Sequence, residues 1–168
     1  MNKGPVSILI QFVALLVLQL LLFNNIQFSG FINPYVYVLF FLLLPFTISN
    51  ALMLILGLLM GLTIDLFMGT PGVHAAATVL VTFFRPGVLK LIAPHDGYDL
   101  NTLPRVSYMG LEWFVKYTII IVVVHHLVLF YVEVFSFSHF FHTLLKVMLS
   151  SVFSCAFIIL SQFFVFRK

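Results

Sequence analysis

Between Lys3 and Asp65 the chain carries no aspartate, glutamate, lysine or arginine. A run of that length cannot form the surface of a soluble domain. In a bilayer it must satisfy every backbone N–H and C=O internally, which for a chain of this kind means helices. The constraint recurs further on, where only Glu133 interrupts residues 117–145 and nothing charged lies between Lys146 and Arg167. With 62% hydrophobic residues, 8% charged and 21 phenylalanines in 168 residues, the chain has too little polar surface to enclose itself in water, and it reads as a polytopic membrane protein. The formal charge of +3 is small, and no aromatic-basic motif points to nucleic acid. The single Cys155 leaves no disulfide framework.

Hydropathy and turn residues divide the chain into six helices, at about 6–23, 34–48, 51–68, 72–91, 112–132 and 142–166, within one domain. The first is too long for a signal peptide and lacks a small-x-small cleavage site, so it is expected to be retained. Asn33 and Pro34 suit the start of the second, which is short and carries Pro45; a kinked helix whose freed carbonyl is met by a neighbour is expected, with a re-entrant segment as the rival. Ser49 and Asn50 can cap the third. The fourth reaches Arg85 and Pro86, which mark the membrane edge or a bend, with 88–92 at the interface. Arg85, Lys90, Asp96, Asp99, Arg105, Glu112 and Lys116 are seven of the thirteen charged residues, and they frame a hydrophilic loop at about 92–111. An interfacial helix is expected at 107–116, with Glu112 and Lys116 paired at i, i+4.

Counting cations fixes the expected orientation. A cytoplasmic N-terminus places Lys3, Arg85, Lys90, Arg105, Lys116, Arg167 and Lys168 on one side, against Lys146 snorkelling outward on the other. Both termini are therefore expected in the cytoplasm.

One stretch reads as a signature: GLLMGLTIDLFMGTPGVHAAATVLVTFFR, residues 57–85. Gly57, Gly61, Asp65 and Gly69 recur every four residues and form a narrow, nearly bulk-free stripe on one helix. Gly69, Thr70, Pro71 and Gly72 are turn chemistry. His74, Thr78, Thr82 and Arg85 then mark a polar stripe on the next helix. Asp65 and His74 flank the bend at similar depth and can face each other. An acid in hydrocarbon needs a partner or a proton. Two roles stand level for Asp65: a structural carboxylate that locks the hairpin through the turn's amides or His74, and a group in a binding pocket or partner contact.

Other groups carry weaker signals. Glu133, His139 and His142 suggest a metal site, but the HxxH spacing is that of an interfacial face and Lys146 would repel a cation. The vicinal His125 and His126 point about 100° apart, so one is expected between helices and the other at a lipid or water boundary. Lys146, Ser150, Ser154 and Ser161 form a stripe suited to close helix contact, and Gln11 and Gln19 to interhelical hydrogen bonds. No nucleophile has a histidine in a recognised catalytic arrangement, so no catalytic residue, metal or cofactor is expected.

The six short helices, and above all residues 57–86, resemble the rod shape-determining protein MreD family. Gly61, Asp65, Gly69, Pro71, Gly72 and His74 carry the resemblance, while the HDGYDLNT loop has no counterpart in it. The resemblance implies a non-enzymatic scaffold of the bacterial elongation machinery in the cytoplasmic membrane. Its partners would be an MreC-like protein and, directly or indirectly, MreB, RodA and an elongation-class penicillin-binding protein. It also implies an all-α fold similar to the substrate-binding (S) component of energy-coupling-factor transporters, with a pocket on the outer side, and leaves room for a homodimer. Gly57, Gly61, Asp65, Gly69, Pro71, Gly72, His74 and Arg85 are then the residues expected to pack helices or to line a partner face or pocket. The alternatives are a small-solute-binding membrane protein resembling those transporter components and, behind it, an intramembrane enzyme.

Overall fold

A computed structural model describes residues 4–25, 32–135 and 139–164, and all its regular structure there is helical. In chain order the helices are α1 (Pro5–Leu21), α2 (Leu39–Leu42), α3 (Asn50–Met68), α4 (Val73–Leu91), α5 (Val106–Met109), α6 (Leu111–Val134) and α7 (Phe140–Phe164). Among the described residues, four stretches are long and apolar enough to cross a membrane: Pro5–Asn25, in which α1 continues through a 3-10 turn, Asn50–Met68, Leu111–Val134 and Phe140–Phe164. The protein is thus membrane-embedded. Lys3, Arg167, Lys168 and part of the loop expected after helix one lie outside the described residues, so of the cations counted for orientation only Arg85, Lys90, Arg105, Lys116 and Lys146 are described.

Helices α3 and α4 form a tight antiparallel hairpin. Ser49 caps α3, its hydroxyl accepting the Leu52 N–H at 3.3 Å. Gly69 ends the helix at φ 66°, and Gly72 opens α4 at φ 85°; both values belong to the left-handed region, where a side chain is strained. The helices then meet on the glycine stripe. A Cβ at Gly57 would lie 2.8 Å from the Thr82 hydroxyl, and one at Gly61 would overlap the Ala75 backbone and the Thr78 hydroxyl. Thr78 uses the closeness, donating to the Gly57 carbonyl at 2.8 Å. Small residues thus bring backbone to backbone where apolar burial alone gives little drive in lipid.

The expected second helix does not form over 34–48. Residues 33–35 are irregular, Val36–Val38 is a 3-10 turn, α2 holds four residues, and the helix ends at Leu43. Proline explains both limits: the residue before Pro45 is steered away from the helical region, and Pro34 and Pro45 enclose only about ten residues, half of what a spanning helix needs. What replaces the helix is a central segment, residues 35–44, buried throughout. It runs from Ser154 on α7, which meets Tyr35, to Arg85 on α4, which meets Leu44. Irregular backbone at membrane depth is tolerated only when protein surrounds it, and here α1, α6 and α7 do so.

The remaining helices enclose that segment unequally. In α1 only 6% of the most hydrophobic window is buried, against 44% in α6, so α1 is peripheral and α6 central. The interfacial helix expected at 107–116 is broken at Gly110 (φ 82°): α5 ends at Met109 and α6 starts at Leu111. Glu112 and Lys116 pair as expected, at 2.6 Å in the first turns of α6. The hydrophilic loop is fastened by aromatics, with Tyr98 stacked on Phe46 at 4.5 Å, its hydroxyl donating to the Leu89 carbonyl, and Trp113 Nε1 donating to the Ile92 carbonyl. Burial pushes the Tyr98 phenol above its ordinary value.

Candidate functional site

Asp65 lies one turn before the end of α3 and acts on α4. Helix α4 begins at Gly72, which has no side chain to cap the free N–H groups. The Asp65 carboxylate supplies the missing acceptor across the bend: Oδ1 accepts from His74 N at 2.9 Å and Oδ2 from Ala75 N at 3.0 Å. The Thr70 hydroxyl donates to Oδ1 at 2.9 Å, and His74 Nδ1 lies 3.1 Å from the same oxygen. Four donors therefore converge on one buried carboxylate, and both bonds expected of a hairpin lock are made, to the turn's amides and to His74.

A second layer sits against His74. The Tyr35 ring packs on His74, His125 and His126 at centroid distances of 5.4, 6.2 and 5.6 Å, and Tyr37 donates to or accepts from His125 Nε2 at 2.7 Å. His126 Nδ1 faces the Val122 carbonyl at 2.8 Å and can only donate there, so its Nε2 accepts the Ser154 hydroxyl proton at 3.1 Å. Ser154 Oγ in turn accepts the Tyr35 N–H at 2.9 Å, and Ser150 Oγ that of Asn33 at 3.0 Å. Gln19 completes the set from α1: its Oε1 accepts from Val36 N and Tyr37 N, and its Nε2 donates to the Pro34 carbonyl. These polar side chains serve the backbone or rings of the central segment and of the two residues that lead into it, Asn33 and Pro34.

Both vicinal histidines are fully buried, which corrects the expectation that one would meet lipid or water. Two directions 100° apart can both point inward on a helix as enclosed as α6. His125 meets the central segment, and His126 meets α7.

Arg85 is separate from this layer, eleven residues further along α4. It is 2% exposed, enclosed by protein, and α4 continues past Pro86 to Leu91. Its Nε donates to the Tyr117 hydroxyl at 2.7 Å, one terminal nitrogen to the Leu44 carbonyl, and the other contacts Met53 Sδ at 3.5 Å. The guanidinium thus holds the carbonyl that precedes Pro45, whereas the carbonyl a proline at 45 would free in a helix is that of Phe41. Burying an arginine on neutral acceptors is costly, and the return is a fixed inner end for the central segment.

No family model, curated protein or solved structure matches the chain. The arrangement is therefore read from its own chemistry. Ser154 with His126 has the spacing of a nucleophile and its base, a pairing hidden in the sequence by the 28 residues between them. The hydroxyl, however, has no exposed surface and already accepts the Tyr35 N–H. Among the described residues no three histidine, cysteine or acidic groups are placed to hold a metal. Glu133 pairs with Lys146 at 3.1 Å, and Lys146 lies over the Phe130 ring, while His139 and His142 are exposed.

Of the residues singled out in the sequence, Gly57, Gly61, Asp65, Gly69, Gly72 and His74 come together in the hairpin, Pro71 sits at its exposed tip, and Arg85 stands apart. The sequence reading missed Tyr35, Tyr37, Tyr117 and the convergence of both histidines on the centre. Gln19 and the serines were expected between helices: Ser154 does meet His126 across α6 and α7 and also binds the central segment, Gln19 binds that segment, and Ser150 binds Asn33 just ahead of it.

Proposed function

We propose that the chain is a non-enzymatic membrane scaffold or regulator of the MreD kind. In this reading it lies in the bacterial cytoplasmic membrane with both termini inside, passes it six times with the central segment as the second pass, and has a fold like that of an energy-coupling-factor S component. It binds an MreC-like membrane protein and through that complex, or directly, meets MreB, RodA and an elongation-class penicillin-binding protein.

One observation carries the reading. The residues of the resemblance build a single rigid hairpin whose far side is an apolar groove of about 720 Å³, floored by Ala75 and Ala76 and walled by Leu54, Leu58, Val79 and Phe83. Small residues between large apolar walls suit a second membrane helix. Gly57 and Gly61 are spent inside the chain, so the partner face is the groove and not the glycine stripe.

The test is affinity purification of the tagged protein from its native membrane in mild detergent, with mass spectrometry of proteins and small molecules. Ala76→Trp fills the groove floor from an exposed position and is expected to lower recovery of the MreC-like partner about tenfold, a loss of about 1.4 kcal/mol, with helix content unchanged. Undiminished recovery from the folded variant contradicts the reading. A stoichiometric small molecule in place of that partner would favour solute binding, for which the polar layer around Tyr35 is the motivating feature.

A further inference from the structure

The Asp65–His74 pair has a use that hairpin locking does not exhaust. His74 is buried, with its Nδ1 turned to the Asp65 carboxylate; its Nε2, on the far edge of the ring, has no hydrogen-bond partner. Locking the hairpin needs only the carboxylate and the backbone amides, so an imidazole with an open nitrogen is surplus to that task.

The neighbouring pair is also incomplete. Tyr37 and His125 share one hydrogen bond but hold two protons, one phenolic and one on the ring, and His125 Nδ1 has no partner. Whichever tautomer is present, one of those protons is left over. The His74 and His125 rings both pack on Tyr37, at 6.2 and 5.3 Å between centroids, so the open nitrogens belong to one cluster around that ring.

We propose that this cluster is a proton-binding site, with His74 Nε2 as the acceptor and Asp65 as the fixed counter-charge. The reaction is an association: hydronium gives its proton to the nitrogen lone pair, water departs, and no other bond changes. The imidazolium then donates from both edges, to Asp65 and into the Tyr37–His125 pair, tying the hairpin to the central segment. The Tyr35 ring covers His74, and just ahead of the segment Ser150 accepts the Asn33 N–H.

The titratable and charged groups around His74 are Asp65 from α3, Tyr35 and Tyr37 from the central segment, His125, His126 and Glu133 from α6, and Lys146 from α7. Of these, Asp65 alone is hydrogen-bonded to the ring as an anion. The opposing charge of an imidazolium is held there at hydrogen-bond distance. His126 is already committed at both nitrogens and offers no open position.

The test is ring-nitrogen NMR of the full chain in phosphatidylcholine–phosphatidylglycerol nanodiscs, with His95→Gln, His139→Gln and His142→Gln introduced to silence the peripheral rings. One of the three remaining histidines is expected to become doubly protonated between about pH 5 and 8. His74→Gln removes that titration, and Asp65→Asn moves its midpoint down by about 1 to 3 pH units. Three rings that all stay neutral across the range overturn the proposal, and this arm needs no change inside the cluster. A titrating ring that survives His74→Gln, or a midpoint unmoved by Asp65→Asn, overturns it equally.

Discussion

The α3–α4 hairpin and the central segment lie side by side and are stabilised in opposite ways. The hairpin is regular helix on both arms, and removal of side chains lets its backbones touch, with Gly61 under Ala75 and Gly57 under Thr82. The central segment is backbone that left the helix, and side chains on three other helices hold it: Gln19 on α1, Ser154 on α7 and Arg85 on α4, with Ser150 on α7 holding Asn33 just ahead of it. One region depends on shape and the other on hydrogen bonds. In a bilayer neither draws much from apolar burial, because lipid is as good a solvent for leucine as another leucine is.

That contrast can be broken at chosen points. The largest effect is expected from Gly61→Leu, whose Cβ alone overlaps the Ala75 backbone; a loss of about 3 kcal/mol or more, measured by unfolding in mixed detergent, should remove the closed hairpin. Partner binding would then fail for a structural reason, so this variant does not report on an interface. Gln19→Leu comes next. It strands the Val36 and Tyr37 N–H groups in the interior and is expected to cost about 2 kcal/mol while leaving the hairpin intact.

Asp65→Ala should cost about 1 to 2 kcal/mol, the range of a lost helix cap. Asp65→Asn, which keeps one acceptor oxygen, should cost less, and equal losses in the two variants would show that the cap is not the source. Smallest of all, Leu66→Ala faces outward at 80% exposure and is expected to change stability by no more than about 0.5 kcal/mol. A large loss there would mean that the face meets protein and not lipid.

The same contrast explains what the sequence could reveal. Each hairpin residue answers a local demand, a positive φ at Gly69 and Gly72, a missing cap met by Asp65, a close approach at Gly61, so its purpose is visible within a window of thirty residues. The stretch YVYVLFFLLL reads as helix because nothing local says otherwise. Its conformation is set by partners 17, 41 and 119 residues away, in Gln19, Arg85 and Ser154. Two signals were nonetheless present: Pro34 and Pro45 enclose too few residues to cross a bilayer as a helix, and helices that face lipid have no need of a glutamine or of spaced serines. Arg85 next to Pro86 looks like a membrane boundary or a bend, and neither pattern tells of its burial. Its inward turn depends on Tyr117 and the Leu44 carbonyl, which no periodicity in α4 can show.

The central claim is that the polar side chains of the long helices exist to hold an irregular segment at the middle of the bundle. Backbone amide hydrogen exchange over residues 35–44, in nanodiscs, tests it most directly when the unmodified chain is compared with Gln19→Leu. The account predicts slow exchange at Val36 and Tyr37 in the unmodified chain and loss of that protection in the variant, with the amides of α3 and α4 unchanged. Rapid exchange at Val36 and Tyr37 before any substitution, or protection that survives Gln19→Leu, would contradict it.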